Sequence, residues 1–505
     1  MAGIKSLAKD TALYGISSII GKTLNWFLTP LFTYNLATTG EYGIITNLYA
    51  YVALVIVILT FGMETGLFRF INKKDEYNPT TVYSTTLIAV GSVVFLFLLI
   101  STLFLDPIAR FTAPDIPSSY IYMMILVLSM DAFSSIPFAY LRYKQRPLKF
   151  AALKILFIIL YIAFCCFFLL LCPELYESRP GLVDWFYEPG SGVKYILLSN
   201  LLATFIQTCC LLPEITGFKY KLDTALLKKM LRYSFPLLIL GIAGILNQTA
   251  DKILFPLVYP DKEDAMNQLG IYGACFKIAV VMVMFTQAFR YAYEPFIFAK
   301  NKGEDNKKSY ADAMKYFILL GLFIFLGITC YMDILKYFIK PTYFEGLPVV
   351  PIVMAGELFF GIYFNLSLWY KLTDQTKWGA IFSGIGCFIT LAINIAFIPV
   401  YGYMACAWAT FISNLIMMFL SYFMGQKRFP IAYDLKTIGI YFGLTVVLYG
   451  LAEGISIDNL YLRLAFRTFL LCIYGFVLIK RDLPLQKIPF LNRFIKARKG
   501  QSAKD

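Results

Sequence analysis

The chain contains no histidine. That single absence removes imidazole proton relays, histidine metal sites and serine–histidine triads. Charge is also scarce, at 15% of 505 residues, where a soluble domain carries about 25%. Hydrophobic residues make up 59%, and a chain this apolar cannot hide its surface from water by folding. Lipid is therefore the solvent for most of it. No Cys-x-x-Cys pair occurs among the ten cysteines, most of which fall inside apolar runs as Cys165/Cys166 and Cys209/Cys210 do. They read as small core- or lipid-facing residues, and no metal is expected. Walker A, dinucleotide-loop and zinc patterns are missing too, so uphill movement would need an ion gradient of protons or sodium, with no other cofactor.

The composition is instead dominated by apolar runs of roughly 20 residues, each long enough to span ~30 Å. They fall near 11–36, 43–68, 83–105, 119–141, 151–173, 193–216, 234–258, 269–298, 313–333, 347–370, 378–398, 403–424, 437–453 and 461–479, numbered here as spans 1 to 14. The apolar stretch after MAGIKSLAKD is too long for a signal-peptide core and reads as a retained first span. The net charge of +14 would suggest nucleic acid in a soluble protein. Here its distribution explains it. Segments such as RFINKKDE, RYKQRPLK and KNKGEDNKK alternate along the chain with LATTGEYG, which has no positive charge, and YPDKEDAMNQ, which is net acidic. Positive charge marks the cytoplasmic side and meets anionic lipid headgroups, which places both termini in the cytoplasm and removes nucleic acid as a partner. The longest external loop, PELYESRPGLVDWFYEPGSG, is too small to enclose a reaction site outside the membrane, so the chain is not expected to be an enzyme.

An internal repeat is visible. GEYG (40–43) opens span 2 and LGIYG (269–273) opens span 8; Arg69 then aligns with Arg290, and Lys149 with Lys377. The expected fold is all-α, with two pseudo-symmetric six-helix lobes, 1–216 and 217–436, two further helices over 437–480, and a basic cytoplasmic tail over 481–505. Parallel repeats that rock against each other are a common transporter plan.

Charges inside spans are the informative residues, since each costs about 2.5–3.5 kcal/mol at a helix centre unless it faces protein or water. Lys22 lies ~16 Å along span 1, deeper than a lysine snorkels; it is a cation facing a central cavity, unless it is ion-paired or the span starts later. Arg290 and Arg69 are arginines at the mouth of one cavity, with snorkelling as the alternative. Asp251 and Lys252 point about 100° apart on span 7 and so are not expected to form a self-contained pair; Lys277 lies at similar depth in span 8. The deep acids Glu64, Asp131, Glu294 and Glu357 either titrate or hold sodium as a cavity alternates, or merely neutralise nearby cations. Glu357 is the preferred coupling residue, with Asp131, Asp251, Glu64 and Glu294 as the other candidates. Pro30, Pro137, Pro236, Pro256, Pro295 and Pro351 are expected to kink their spans.

The segment NIAFIPVYGYMACAWATFISN (394–414) is similar to the Asn…Ile-Pro-x-Tyr-Gly…Ala-x-Ala-Thr pattern of the Wzx-type polysaccharide flippases of the multidrug/oligosaccharidyl-lipid/polysaccharide exporter superfamily. TADKILF with LGIYGACFKIA, FAYLRYKQRPLKFA, and the opening through GEYG resemble further stretches of that family. The resemblance covers essentially the whole chain. It implies a two-lobed bundle with a cationic cavity in a bacterial cytoplasmic (inner) membrane. The implied cargo is an undecaprenyl-diphosphate-linked oligosaccharide, flipped by alternating access or antiport, with polysaccharide polymerase and ligase machinery as partners. By that implication Lys22, Lys252 and Arg290 would meet the diphosphate or acidic sugar; Lys252 stands where the family more usually has arginine. The alternative within the superfamily is an ion-coupled small-molecule (multidrug) exporter.

Overall fold

The computed structural model describes residues 19–73, 75–112, 116–299, 304–373 and 375–482, with the side chains of all of these except 112, 292, 294–299 and 304–306. Among the described residues 13 helices are long and apolar enough to cross a membrane, and there is no strand. They correspond to spans 2 to 14. Span 1 is helical over 19–26 and again over Leu28–Asn35, and it begins outside the described residues. The chain is an all-helical, multi-pass membrane protein.

Local chemistry sets where several spans start. The Thr38 hydroxyl accepts from Glu41 N at 3.3 Å, and Asn78 accepts from Thr80 N at 2.9 Å with Pro79 in the first turn. Asp223, Asp434 and Asn459 cap spans 7, 13 and 14 in the same way. Several helices outrun their apolar cores. Spans 7 and 8 are each 35 residues, Thr224–Val258 and Ala265–Ala299, or ~52 Å of helix against a ~30 Å hydrocarbon core. Reading apolar runs alone therefore starts span 7 ten residues late, because Lys228, Lys229 and Arg232 continue the helix beyond the apolar core. Span 2 is broken instead of continuous: Phe61 and Gly62, at φ 50° and 66°, separate Thr39–Thr60 from Met63–Ile71. Of the prolines expected to kink, Pro137, Pro236 and Pro256 lie inside unbroken helices. Pro30 and Pro351 sit in first turns, where no intrahelical bond is lost. The side chain of Pro295 lies outside the described residues.

Contacts divide the chain into two compact units, Met1–Ala299 with Phe338–Arg428, and Lys300–Tyr337 with Phe429–Asp505. In the second unit span 9 (Glu304–Cys330) packs on span 13 (Leu435–Gly454) and span 14 (Leu460–Arg481). The Tyr474 hydroxyl donates to Leu319 O at 2.8 Å. Asp333 accepts from Arg463 at 2.7 Å and from the buried Arg467 at 3.0 Å. Span 9, which the repeat assigns to the second lobe, thus makes its contacts within this unit with the last two spans.

In the first unit span 2 packs along both span 8 and span 7, and spans 10, 11 and 12 pack on one another. The two repeated glycine motifs meet here. A Cβ added to Gly43 would stand 1.9 Å from Met266 O, and one added to Gly270 would stand 1.8 Å from Thr39 O. Only hydrogen fits at that crossing, so the repeat read in the sequence is also the tightest helix contact described between spans 2 and 8.

Candidate functional site

Residues from spans 1, 2, 4, 5, 6, 7 and 8 line a cavity of about 680 Å³ in the first unit. Its chemistry is cationic. Lys22, Lys154, Lys252 and Lys277 line it, with Asp131 as the lining carboxylate. Lys22 donates to Gln287 Oε1 at 2.7 Å, across from span 1 to span 8. Lys154 stands 4.0 Å from the centroid of the Phe138 ring. Lys252 bends back on its own helix and meets both Asp251 oxygens, at 2.9 and 3.1 Å, so the two residues do form a local ion pair. The helical angle between them is bridged by the four-carbon lysine arm, which reasoning from azimuth alone ignores. Asp251, 3% exposed, also accepts from the Tyr272 hydroxyl at 2.7 Å. Its carboxylate is thereby satisfied from two sides, and the pair keeps the Lys252 charge at the wall instead of projecting it freely.

Polar groups without net charge line another part of the wall. The Tyr49 and Tyr161 hydroxyls are 3.3 Å apart, and the Asn200 amide donates to Tyr49. These phenol rings and hydroxyls suit the CH faces and hydroxyls of a sugar. The sequence holds 36 tyrosines, and nothing in the pattern singles these out. Sequence reasoning also missed Lys154. That residue lies seven positions after Pro147, ~10 Å along span 5, whereas the apolar run read from 151 puts it only three residues from the start of the span. Counting helical rise from Pro147 is the signal that finds it.

The remaining expected residues lie elsewhere. Arg69 stands 4.0 Å from the Tyr233 ring centroid on span 7, and Arg290 4.3 Å from that of Phe364 on span 10. Neither belongs to the cavity lining. Glu64 is ion-paired with Arg142 at the end of span 4. Glu357 lines a second, polar cavity of about 20 Å³ with Asn247, Gln248, Thr410 and Asn414, a space the size of one water. Asn247 is oriented there by Thr390 and Ser413, which donate to it at 2.7 and 3.0 Å. Phe276 lines both cavities, so one ring separates Glu357's pocket from the lysines. The side chain of Glu294 lies outside the described residues.

With this geometry in place, the likeness to known proteins is informative. The fold is similar to that of the lipid II flippase MurJ in an inward closed conformation, with a TM-score of 0.67, 13% identity, and 94% of this chain and 99% of that one covered. It is also similar to a multidrug resistance MATE family transporter of the MOP superfamily in its inward-facing form, with a TM-score of 0.62, 12% identity, and 86% and 96% covered. The outward-facing form of such a transporter gives 0.59, 12% identity, and 88% and 99%. No curated protein sequence matches the chain. Residues 7–298 match the sequence profile of the family described as "Polysaccharide biosynthesis protein". That stretch is more than half of the chain and supplies every residue that lines the large cavity. The resemblance read from the sequence motifs is borne out: the chain belongs to the polysaccharide biosynthesis protein family.

Proposed function

We propose that this protein flips an undecaprenyl-diphosphate-linked oligosaccharide from the cytoplasmic to the outer leaflet of a bacterial inner membrane, for cell-surface polysaccharide biosynthesis. The observation that carries the reading is the lysine-lined cavity. Four lysines line it; Asp131 offsets one and Asp251 offsets Lys252, which leaves an excess of two positive charges. That excess complements a diphosphate diester, and a cavity of low dielectric strengthens the attraction. An organic cation would be repelled, which disfavours the exporter reading despite the likeness to MATE folds. The tyrosine and asparagine wall offers stacking and hydrogen bonds to the glycan. The rocking bodies in this proposal are the lobes 1–216 and 217–436, both termini face the cytoplasm, and Arg69 and Arg290 guide the head group at the basic end. Polysaccharide polymerase and ligase machinery would take the flipped product.

Glu357 is the proposed coupling residue. Its carboxylate, in a water-sized polar pocket one ring away from Lys252, is placed to exchange a proton or sodium as the cavity changes its charge.

The test is flipping of a fluorescent undecaprenyl-diphosphate oligosaccharide in proteoliposomes, comparing the wild type with Lys22→Ala and Arg290→Ala. Transport by the wild type that is lost in folded variants supports the proposal. No transport of several glycans by folded protein overturns it and leads to drug-efflux assays. Transport that survives both substitutions keeps the function and removes those two residues from it.

A further inference from the structure

Away from the lysine cavity, spans 3 and 4 carry a groove of about 570 Å³ on the first unit. Its lining is mostly apolar, and one missing side chain helps to hollow it. Gly91 faces the Phe133 ring, and a Cβ there would stand 3.4 Å from it, so the ring is left uncovered at the groove floor. Phe95 and Leu96 form a wall and are 68% and 55% exposed. Tyr220 closes one end.

The segment bearing Tyr220 is fixed on span 3. Lys221 N donates to Ser84 Oγ at 2.7 Å, and the Thr85 hydroxyl donates to Lys221 O at 3.2 Å. Lys219 and Lys221, on either side of Tyr220, are both exposed. The adjacent acid, Asp223, is already engaged: its carboxylate accepts from Leu226 N at 2.9 Å and caps span 7. Counted from Ser84, Leu87 to Leu96 lie ~5 to ~18 Å along the helix, which is the depth of one leaflet's acyl chains in a core ~30 Å thick. The groove therefore runs inward from a pair of cations at the headgroup layer, over the length of a lipid tail.

We propose that this groove holds one anionic phospholipid, with an acyl chain along Gly91 and Phe133 and the phosphate against Lys219 and Lys221. A soluble anion has no reason to occupy an apolar trough at that depth. A flat helix face would let annular lipids exchange freely, whereas a trough buries more of the tail. Each lysine near the surface favours an anionic headgroup, and two together give a preference on the order of tenfold to thirtyfold.

The experiment is native mass spectrometry of the purified full chain titrated with phosphatidylglycerol or phosphatidylcholine. The wild type is expected to retain one phosphatidylglycerol, at least about tenfold more strongly than phosphatidylcholine. Gly91→Phe fills the trough and is expected to lose both lipids. The double variant Lys219→Gln with Lys221→Gln, altered only at exposed positions, is expected to hold the two lipids equally. Equal retention of both lipids by the wild type overturns the proposal, and so does an undiminished preference in the lysine variant. Displacement of the bound lipid by inorganic phosphate also overturns it, since the tail would then contribute nothing. The readout involves no transport, so a negative result leaves the flippase reading standing.

Discussion

The glycine crossing between spans 2 and 8 makes the sharpest prediction. An alanine at Gly270 would put its Cβ 1.8 Å from Thr39 O, and one at Gly43 would put it 1.9 Å from Met266 O, where real contacts stay beyond 3.0 Å. The obstacle in each case is backbone, so no side-chain rotation relieves it, and the helices must part by about 1 Å. Overpacking of this kind costs about 2 kcal/mol, which moves a two-state equilibrium by roughly thirtyfold away from the state that contains the contact. If this crossing closes the poorly charged end of the cavity, Gly43→Ala opens that end without removing any group that binds cargo. The assay is maleimide labelling of Thr46→Cys, a cavity-lining position that abuts Gly273, with exposed Cys209 and Cys472 changed to serine. Labelling from that side should rise about tenfold or more. The double variant with Gly270→Ala should add little, because both glycines serve one contact. Unchanged labelling in a folded variant would refute the reasoning. So would folded protein lost in proportion to the clash, which would make the crossing a folding contact and nothing more.

Other tests follow from the same geometry. Lys154→Met should lower flipping by at least about tenfold, since a charge-assisted contact is worth about 1.5–3 kcal/mol; rates equal to wild type in proteoliposomes would remove it from the cargo site. Glu357→Gln should abolish gradient-driven accumulation while leaving exchange at equilibrium intact, measured with imposed proton and sodium gradients in turn. Asp333→Ala removes the shorter of the two carboxylate contacts of Arg467, whose side chain is 10% exposed, and leaves it Glu453 at 3.4 Å, so it should destabilise the second unit by about 1–3 kcal/mol. Replacing Asp333 by Leu together with Arg467→Met should recover most of that loss in a thermal unfolding comparison.

How far the sequence carried the reading varied with the kind of signal. Lys22 lines the large cavity, and its depth is readable from the sequence because helical rise converts position into depth and a lysine arm has a known reach. Lys154 obeys the same rule and was passed over because its span was taken to begin later than Pro147. The Asp251–Lys252 pair shows the opposite limit: backbone azimuth is legible, but the bend of a flexible arm is not. The break at Phe61–Gly62 lies inside an apolar run, where hydropathy has no contrast to report it. The grouping of span 9 with spans 13 and 14 was invisible for a related reason, since lipid-facing and helix-facing surfaces are equally apolar. The repeated glycines were visible as letters, and the structure supplied their meaning as one crossing.

The neighbouring ions of span 7 have a consequence for motion. Because Asp251 and Lys252 share one helix, and Tyr272 of span 8 holds the same carboxylate, spans 7 and 8 can travel as a body with their charge and countercharge aboard. No ion pair would have to be separated there in the proposed rearrangement of the lobes. In the proposed rocking, the bonds that would open between the first lobe and spans 7 and 8 include Lys22 to Gln287, Asn47 to Lys252 O, Trp26 to Lys277 O, Thr39 to Asn267 and Ser234 to Gly62 O. Each of these has an uncharged oxygen as acceptor, which water or the cargo's own oxygens can replace. In the proposed function, the latch between the lobes is thus the kind that a phosphate can undo by binding.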